Sequence, residues 1–203
     1  MPAEIIPPFL FFCFITGITP GPANLCSLST ALQYGKKAAF MQWTGLFTGF
    51  TLDAFMAVLV AYFLGTALHR FVGIFAFVGA AYLLWLSIHM FRSATQTDGK
   101  SFVFRGFISG LLVNITNVKV MMSCITALTS YVLPYRQDFS SLLAVGLFLP
   151  FTGPVCNLAW LFAGLSLQKV FSAHKKATAI IMAVSLLLCA ASMIIIGIRT
   201  LVR

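Results

Sequence analysis

Thr19-Pro20-Gly21-Pro22-Ala23-Asn24 interrupts the first long apolar run of this chain, and Asn114-Ile115-Thr116-Asn117-Val118-Lys119 interrupts the fourth. A proline has no N–H to offer the carbonyl four residues before it. Pro20 and Pro22 therefore deprive the carbonyls of Thr16 and Ile18 of their helical donors. In hydrocarbon, unsatisfied backbone is tolerated only where it is buried in protein or faces a wet cavity. A simple proline kink is the plainer reading of a single proline, and it fits Pro-Gly-Pro flanked by Thr and Asn less well.

Composition places these runs in hydrocarbon. Apolar residues make up 60% of the 203 and charged residues 8%, against about 45–50% and about 25% in soluble domains. The mean hydropathy is +0.99. Too little charge exists to solvate a globule, which leaves the bilayer as the solvent. A helix crossing a hydrocarbon core of about 30 Å needs about 20 apolar residues. Six runs qualify: Ile5 to Ala31, Ala38 to Leu68, Phe71 to Phe91, Gly106 to Val132, Phe139 to Gln168 and Ala177 to Ile198. The expected fold is an all-α membrane protein, a single transmembrane domain over residues 1–203 with six transmembrane helices.

The net charge of +9 does not indicate nucleic acid. The basic residues form short groups between apolar runs, such as Lys36-Lys37 and Lys169/Lys175/Lys176, as expected of loops facing anionic lipid. Cys13, Cys26, Cys124, Cys156 and Cys189 all lie inside apolar runs with no CxxC pair, so neither a disulfide framework, a metal site nor a cofactor is indicated. No Lys or Arg precedes Lys36, so the start lacks the positive region of a cleavable signal peptide and the first span is expected to stay.

With six spans, one face collects Lys36, Lys37, Arg92, Lys100, Arg105, Lys169, Lys175 and Lys176, and the other Arg70, Arg136, Arg199 and Arg203. The richer face should be cytoplasmic, which puts both termini in the periplasm of a bacterial inner membrane. The polar loop at about 93–104 would separate repeat one (about 1–92) from repeat two (about 105–203). Three spans per half force the second half to insert upside down, the condition for two inverted three-helix repeats. Transporters of that kind bind at the midplane, on helices interrupted by Gly or Pro in corresponding places.

Lys119 near a helix centre costs about 2.5–3.5 kcal/mol to insert and calls for a partner or ligand in the interior. Asp53 is the lone carboxylate within any span. It could pair with Lys119, bind a substrate ammonium or carry a proton. Pro150, Gly153, Pro154 and Asn157 interrupt the fifth span at a similar depth. Thr19, Pro20, Gly21, Pro22, Asn24, Asp53, Asn114, Asn117, Lys119 and Asn157 are thus the candidate substrate-binding residues. Gly17/Gly21, Gly45/Gly49 and Gly106/Gly110 read as small-residue pairs that let helices approach closely. Trp43, Tyr62, Tyr82, Trp85, Tyr131 and Tyr135 read as interface aromatics, and Cys26 and Cys124 as packing residues.

The chain resembles the LysE/RhtB family of bacterial amino-acid exporters. The resemblance rests on Thr19-Pro20-Gly21-Pro22, Gly45-xxx-Gly49, Gly79-Ala80-Ala81-Tyr82-Leu83-Leu84-Trp85-Leu86 and the run from Arg105-Gly106-Phe107 to Asn114-Ile115-Thr116-Asn117-Val118-Lys119. It implies a secondary exporter of small neutral amino acids or their derivatives, with cysteine and O-acetylserine as cargo. No Walker-type motif is present, so an ion gradient or the substrate gradient itself is the expected driving force. Two inverted halves would rock around the site, with Lys119 and helix N-termini on the substrate carboxylate, and Asp53 with the carbonyls of Thr16 and Ile18 on its ammonium or on a coupling proton. Val118 stands where the family usually has Pro, which implies a softer break in span four. Phe50 stands where many members carry an acid, with Asp53 about one turn later.

Partners in this reading are the amino acid, membrane lipid and a second copy of the chain in a homodimer. Two rivals remain: a membrane thiol oxidoreductase using Cys26 and Cys124, and a membrane scaffold whose mid-depth polar groups satisfy one another without a cavity.

Overall fold

The computed structural model describes residues 2–63 and 102–172 continuously, with single positions between 77 and 88 and between 180 and 198. Every element among the described residues is helical. A 3₁₀ turn (Ala3–Ile5) leads into α1 (Ile6–Ile18). Pro7 lies in its first turn, where a missing N–H leaves no helical bond unmade. Pro22 opens α2 (Pro22–Phe63) in the same way.

The 42 residues of α2 are two helices, because Gly35 has φ 76° and ψ −170°. That left-handed conformation suits glycine and is strained for side-chain-bearing residues. Gln42 Nε2 donates to Cys26 Sγ across the turn at 2.7 Å, so the arms 22–34 and 36–63 fold back on each other. Lys36 and Lys37 stand exposed at the tip. Where the sequence suggests a loop between spans one and two, the chain reverses at one residue.

Next come α3 (Phe102–Ile115) and α4 (Val118–Tyr131); the stretch Gly106–Ile115 is bent by 53° from α4. Span four starts four residues earlier than expected and carries its break at Thr116-Asn117. α5 (Phe139–Phe148), a 3₁₀ turn (Leu149–Phe151) and α6 (Gly153–Ser172) make up span five. Spans three and six and residues 93–101 of the expected loop lie outside the described residues, apart from the isolated helical positions, while residues 102–104 of that loop belong to α3.

Pro22–Phe63 and Phe139–Leu167 are each long and apolar enough to cross a membrane, and Gly106–Ile115 with Val118–Tyr131 would make a third, bent crossing. The distribution of side chains suits a lipid solvent. Phe11 is 66% and Phe63 72% exposed, whereas Asn24, Ser27, Gln42, Asp53, Asn114, Asn117 and Asn157 are buried, the reverse of a water-soluble protein.

The second arm of α2 and α3 touch backbone to backbone. A Cβ at Gly45 would overlap the Phe107 carbonyl, and one at Gly110 would overlap that of Gln42. One at Gly49 would come within 2.9 Å of Asn114 Cβ, and one at Gly106 within 3.4 Å of the Ala38 carbonyl. Ascending numbers face ascending numbers, so these two helices run parallel.

Asp138 lies outside the spans and caps α5, its carboxylate accepting from Ser141 N at 2.9 Å. The hydrogen bonds from the Ser141 side chain and backbone hold that carboxyl below its ordinary range.

Candidate functional site: a cavity between three broken helices

The first break is rebuilt by donors from elsewhere in the chain. In the last turn of α1 and the residue after it, the Ile15 carbonyl accepts from Thr19 N at 3.1 Å. Asn24, in the first turn of α2, reaches back to donate from Nδ2 to the carbonyls of Gly17 and Thr19, both at 2.9 Å. The Ile18 carbonyl, expected to be open to substrate, instead accepts from Trp160 Nε1 at 3.0 Å. The Thr16 carbonyl has no helical donor, because residue 20 is proline. Thr16 lies on a cavity wall.

At the second break, Asn117 takes an extended conformation (φ −84°, ψ 96°) and its side chain accepts from Lys119 N at 3.1 Å, which caps α4. With Val118 in the place of proline, the stretch before this break is bent by 53° from α4. Lys119 Nζ donates to the Thr19 carbonyl at 2.6 Å. A Cβ on Gly21 would come within 3.1 Å of Lys119 Cδ, so glycine leaves room for the lysine stem.

The third break brings Gly153 against Phe50, whose ring a Cβ there would overlap. Trp43, expected to anchor at the membrane interface, donates from Nε1 to the Pro154 carbonyl at 2.9 Å. Asn157 Nδ2 donates to Asn24 Oδ1 at 2.7 Å, and Asn157 Oδ1 accepts from Ser27 Oγ at 2.8 Å. This buried chain joins α6 to the first arm of α2.

Between the breaks lies a cavity of about 60 Å³, several times the about 10–15 Å³ one water requires. Of the residues singled out in the sequence, Gly21, Asn24, Asn114, Asn117, Lys119 and Asn157 line it. Thr19 contributes its carbonyl to Lys119, and Pro20 and Pro22 shape the break without lining it. Asp53 is 2% exposed and is not on the wall. Thr16, Cys13 and Ser123 line it as well.

Electrostatically the wall is two-signed. The N-termini of α2, α4 and α6 bring Gly21, Lys119 and Gly153 to the cavity, and helix N-termini favour anions. The carbonyl end of α1, with Thr16, supplies the opposite sign. Such a wall can hold a small molecule bearing both charges.

The family profile described as LysE type translocator matches residues 14–203. The chain belongs to the LysE type translocator family. Its match takes in all three breaks, and a translocator is a carrier, not an enzyme. Among relatives, a "Cysteine/O-acetylserine efflux protein" of Klebsiella pneumoniae subsp. pneumoniae is 30% identical over 195 residues, covering 96% of this chain and 100% of the relative. Proteins of the same name from Escherichia coli and Shigella sonnei are each 28% identical over 190 residues, covering 94% of this chain and 97% of theirs. No solved structure matches the chain.

Proposed function

We propose that this LysE type translocator exports small neutral amino acids, cysteine or O-acetylserine, across the bacterial inner membrane in exchange for protons. The observation that carries the reading is a cavity lined both by Lys119, at the N-terminus of α4, and by Thr16, at the carbonyl end of α1. A zwitterion fits that pattern, with its carboxylate toward Lys119 and its ammonium toward Thr16. The names of the relatives supply the cargo. A scaffold would have its polar groups satisfied with no cavity left between them, and the cavity counts against that.

The proposal keeps six spans in two inverted halves, both termini periplasmic, and a homodimer. The parallel course of the second arm of α2 and α3 supports the span count, since an odd number of crossings must separate two parallel helices.

Uptake into inverted vesicles holding the purified protein tests this, with labelled cysteine, O-acetylserine, threonine and lysine, with and without a pH gradient. Cysteine or O-acetylserine should enter, faster with the vesicle lumen acidified. Failure of all four to enter would overturn the reading.

A further inference from the structure

Asp53 and Asn114 pose the same structural problem in neighbouring turns. Asp53 Oδ2 and Asn114 Oδ1 are both fully buried acceptors with no hydrogen-bond partner among the described residues, and each residue is 2% exposed. Gly45, Gly49 and Asp53 follow one another at intervals of four, so they share the face of α2 that packs on α3. Gly45 meets Phe107 and Leu111, and Gly49 meets Leu111 and Asn114. One turn further, about 5.4 Å, the same register brings Asp53 level with the Thr116-Asn117 break. Asn114 is held in place by donating from Nδ2 to the Leu46 carbonyl at 2.7 Å and lies on the cavity wall.

We infer that Asp53 carries the coupling proton, at the seam beside the cavity, and does not bind the substrate's ammonium. The inference rests on the exporter reading above. Two buried acceptors without a donor leave this part of the seam short of a hydrogen, and a bare carboxylate there carries a large desolvation cost. A proton on Oδ2 removes the charge and supplies a donor. Two oxygens are too few to cage a metal cation. Asp53 is also off the cavity wall, whereas Thr16 is on it.

Among the described residues, the titratable groups near Asp53 are few. Cys124 of α4 is within electrostatic reach of Asp53, and Cys13 of α1 is within reach of Cys124. Lys119 of α4 donates to the Thr19 carbonyl. α3 has none nearer than Arg105 at its far end, and α5 has none. Asp53 lies past the glycine contacts, opposite the bend, so movement of α4 about Asn117 would admit water to it without parting α2 from α3. Proton release is then tied to that movement.

The test uses the full chain in liposomes. The infrared spectrum at neutral pH should show a protonated-carboxyl stretch that fades as pH is raised and is absent from Asp53→Asn. With a luminal pH dye and labelled cysteine, proton flux per substrate should fall at least about tenfold in Asp53→Asn, and Asp53→Glu should restore it. Identical carboxyl spectra in wild type and Asp53→Asn would overturn the inference, as would an unchanged proton-to-substrate ratio. If Asp53→Asn moves nothing, the spectrum of the folded variant decides. Wild-type protein that moves none of the four amino acids would instead defeat the exporter reading, while the carboxyl spectrum would still report on Asp53.

Discussion

Lys119 and Thr19 are a hundred residues apart and joined at 2.6 Å, the ammonium donating to the carbonyl. Each belongs to a helix break, so the bond ties the interruption of span one to that of span four. Hydrogen bonds to charged groups contribute about 1.5–3 kcal/mol. Lys119→Ala should therefore lower cysteine efflux about 10- to 100-fold. Lys119→Arg should recover little of it, since the planar fork does not reproduce a compact ammonium. Labelled efflux from cells, normalised to protein in the membrane, measures both. Wild-type rates in Lys119→Ala would remove the carboxylate site.

Gly21 makes room for that lysine. Gly21→Ala would press on Lys119 Cδ at 3.1 Å, and a flexible stem yields by a few tenths of an ångström. Folding should survive while the apparent substrate affinity drops. A KM unchanged from wild type would show that the lysine position does not matter to binding.

Gly110→Ala should act on stability. Its Cβ would overlap the Gln42 carbonyl, which cannot move without moving α2. Overpacking of this kind costs about 1–3 kcal/mol. The melting temperature of the detergent-solubilised protein should fall, and an unshifted value would contradict the contact.

Asn157→Leu strips Asn24 and Ser27 of their partner at once. Single side-chain hydrogen bonds in membranes average about 0.6 and reach about 1.7 kcal/mol. The two bonds together should lower thermal stability by about 1–3 kcal/mol, read in the same melting assay. A restoring Asn157→Gln would argue against a specific geometry.

Asp138 gives α5 a pH dependence. Its carboxyl is depressed in the folded chain by the Ser141 bonds, so the cap stabilises above the ordinary carboxylate range and is lost as pH falls through the depressed value. Amide exchange at Phe139 to Leu142 should speed up on strong acidification, and in Asp138→Ala it should be fast at every pH. Equal protection in Asp138→Ala at neutral pH would dismiss the cap.

Much of this site was visible in the sequence because its signals are local. A proline lacks a donor wherever it sits, a lysine in an apolar run is conspicuous, and glycines spaced by four mark a close face. The donors that repair the breaks were not visible. Trp160 reaches Ile18 from 142 positions away, and a tryptophan in an apolar run reads as an anchor at the interface, as Trp43 did. The bend at Asn117 carries no proline to mark it; an extended asparagine whose side chain accepts from Lys119 N makes the break. Asp53 stood out as a lone carboxylate, but its place off the cavity wall follows from how α2 meets α3, which spacing alone does not reveal.

That meeting also constrains how the protein works. The second arm of α2 lies in the first half of the chain and α3 in the second, and main-chain atoms interlock wherever their glycines cross. Sliding one past the other would drive carbonyls into amides, so the pair travels as one plank that rivets the halves together. On the exporter reading proposed above, alternating exposure would then fall to the short segments broken at Thr19–Gly21, Asn117 and Thr152, turning against a stationary beam.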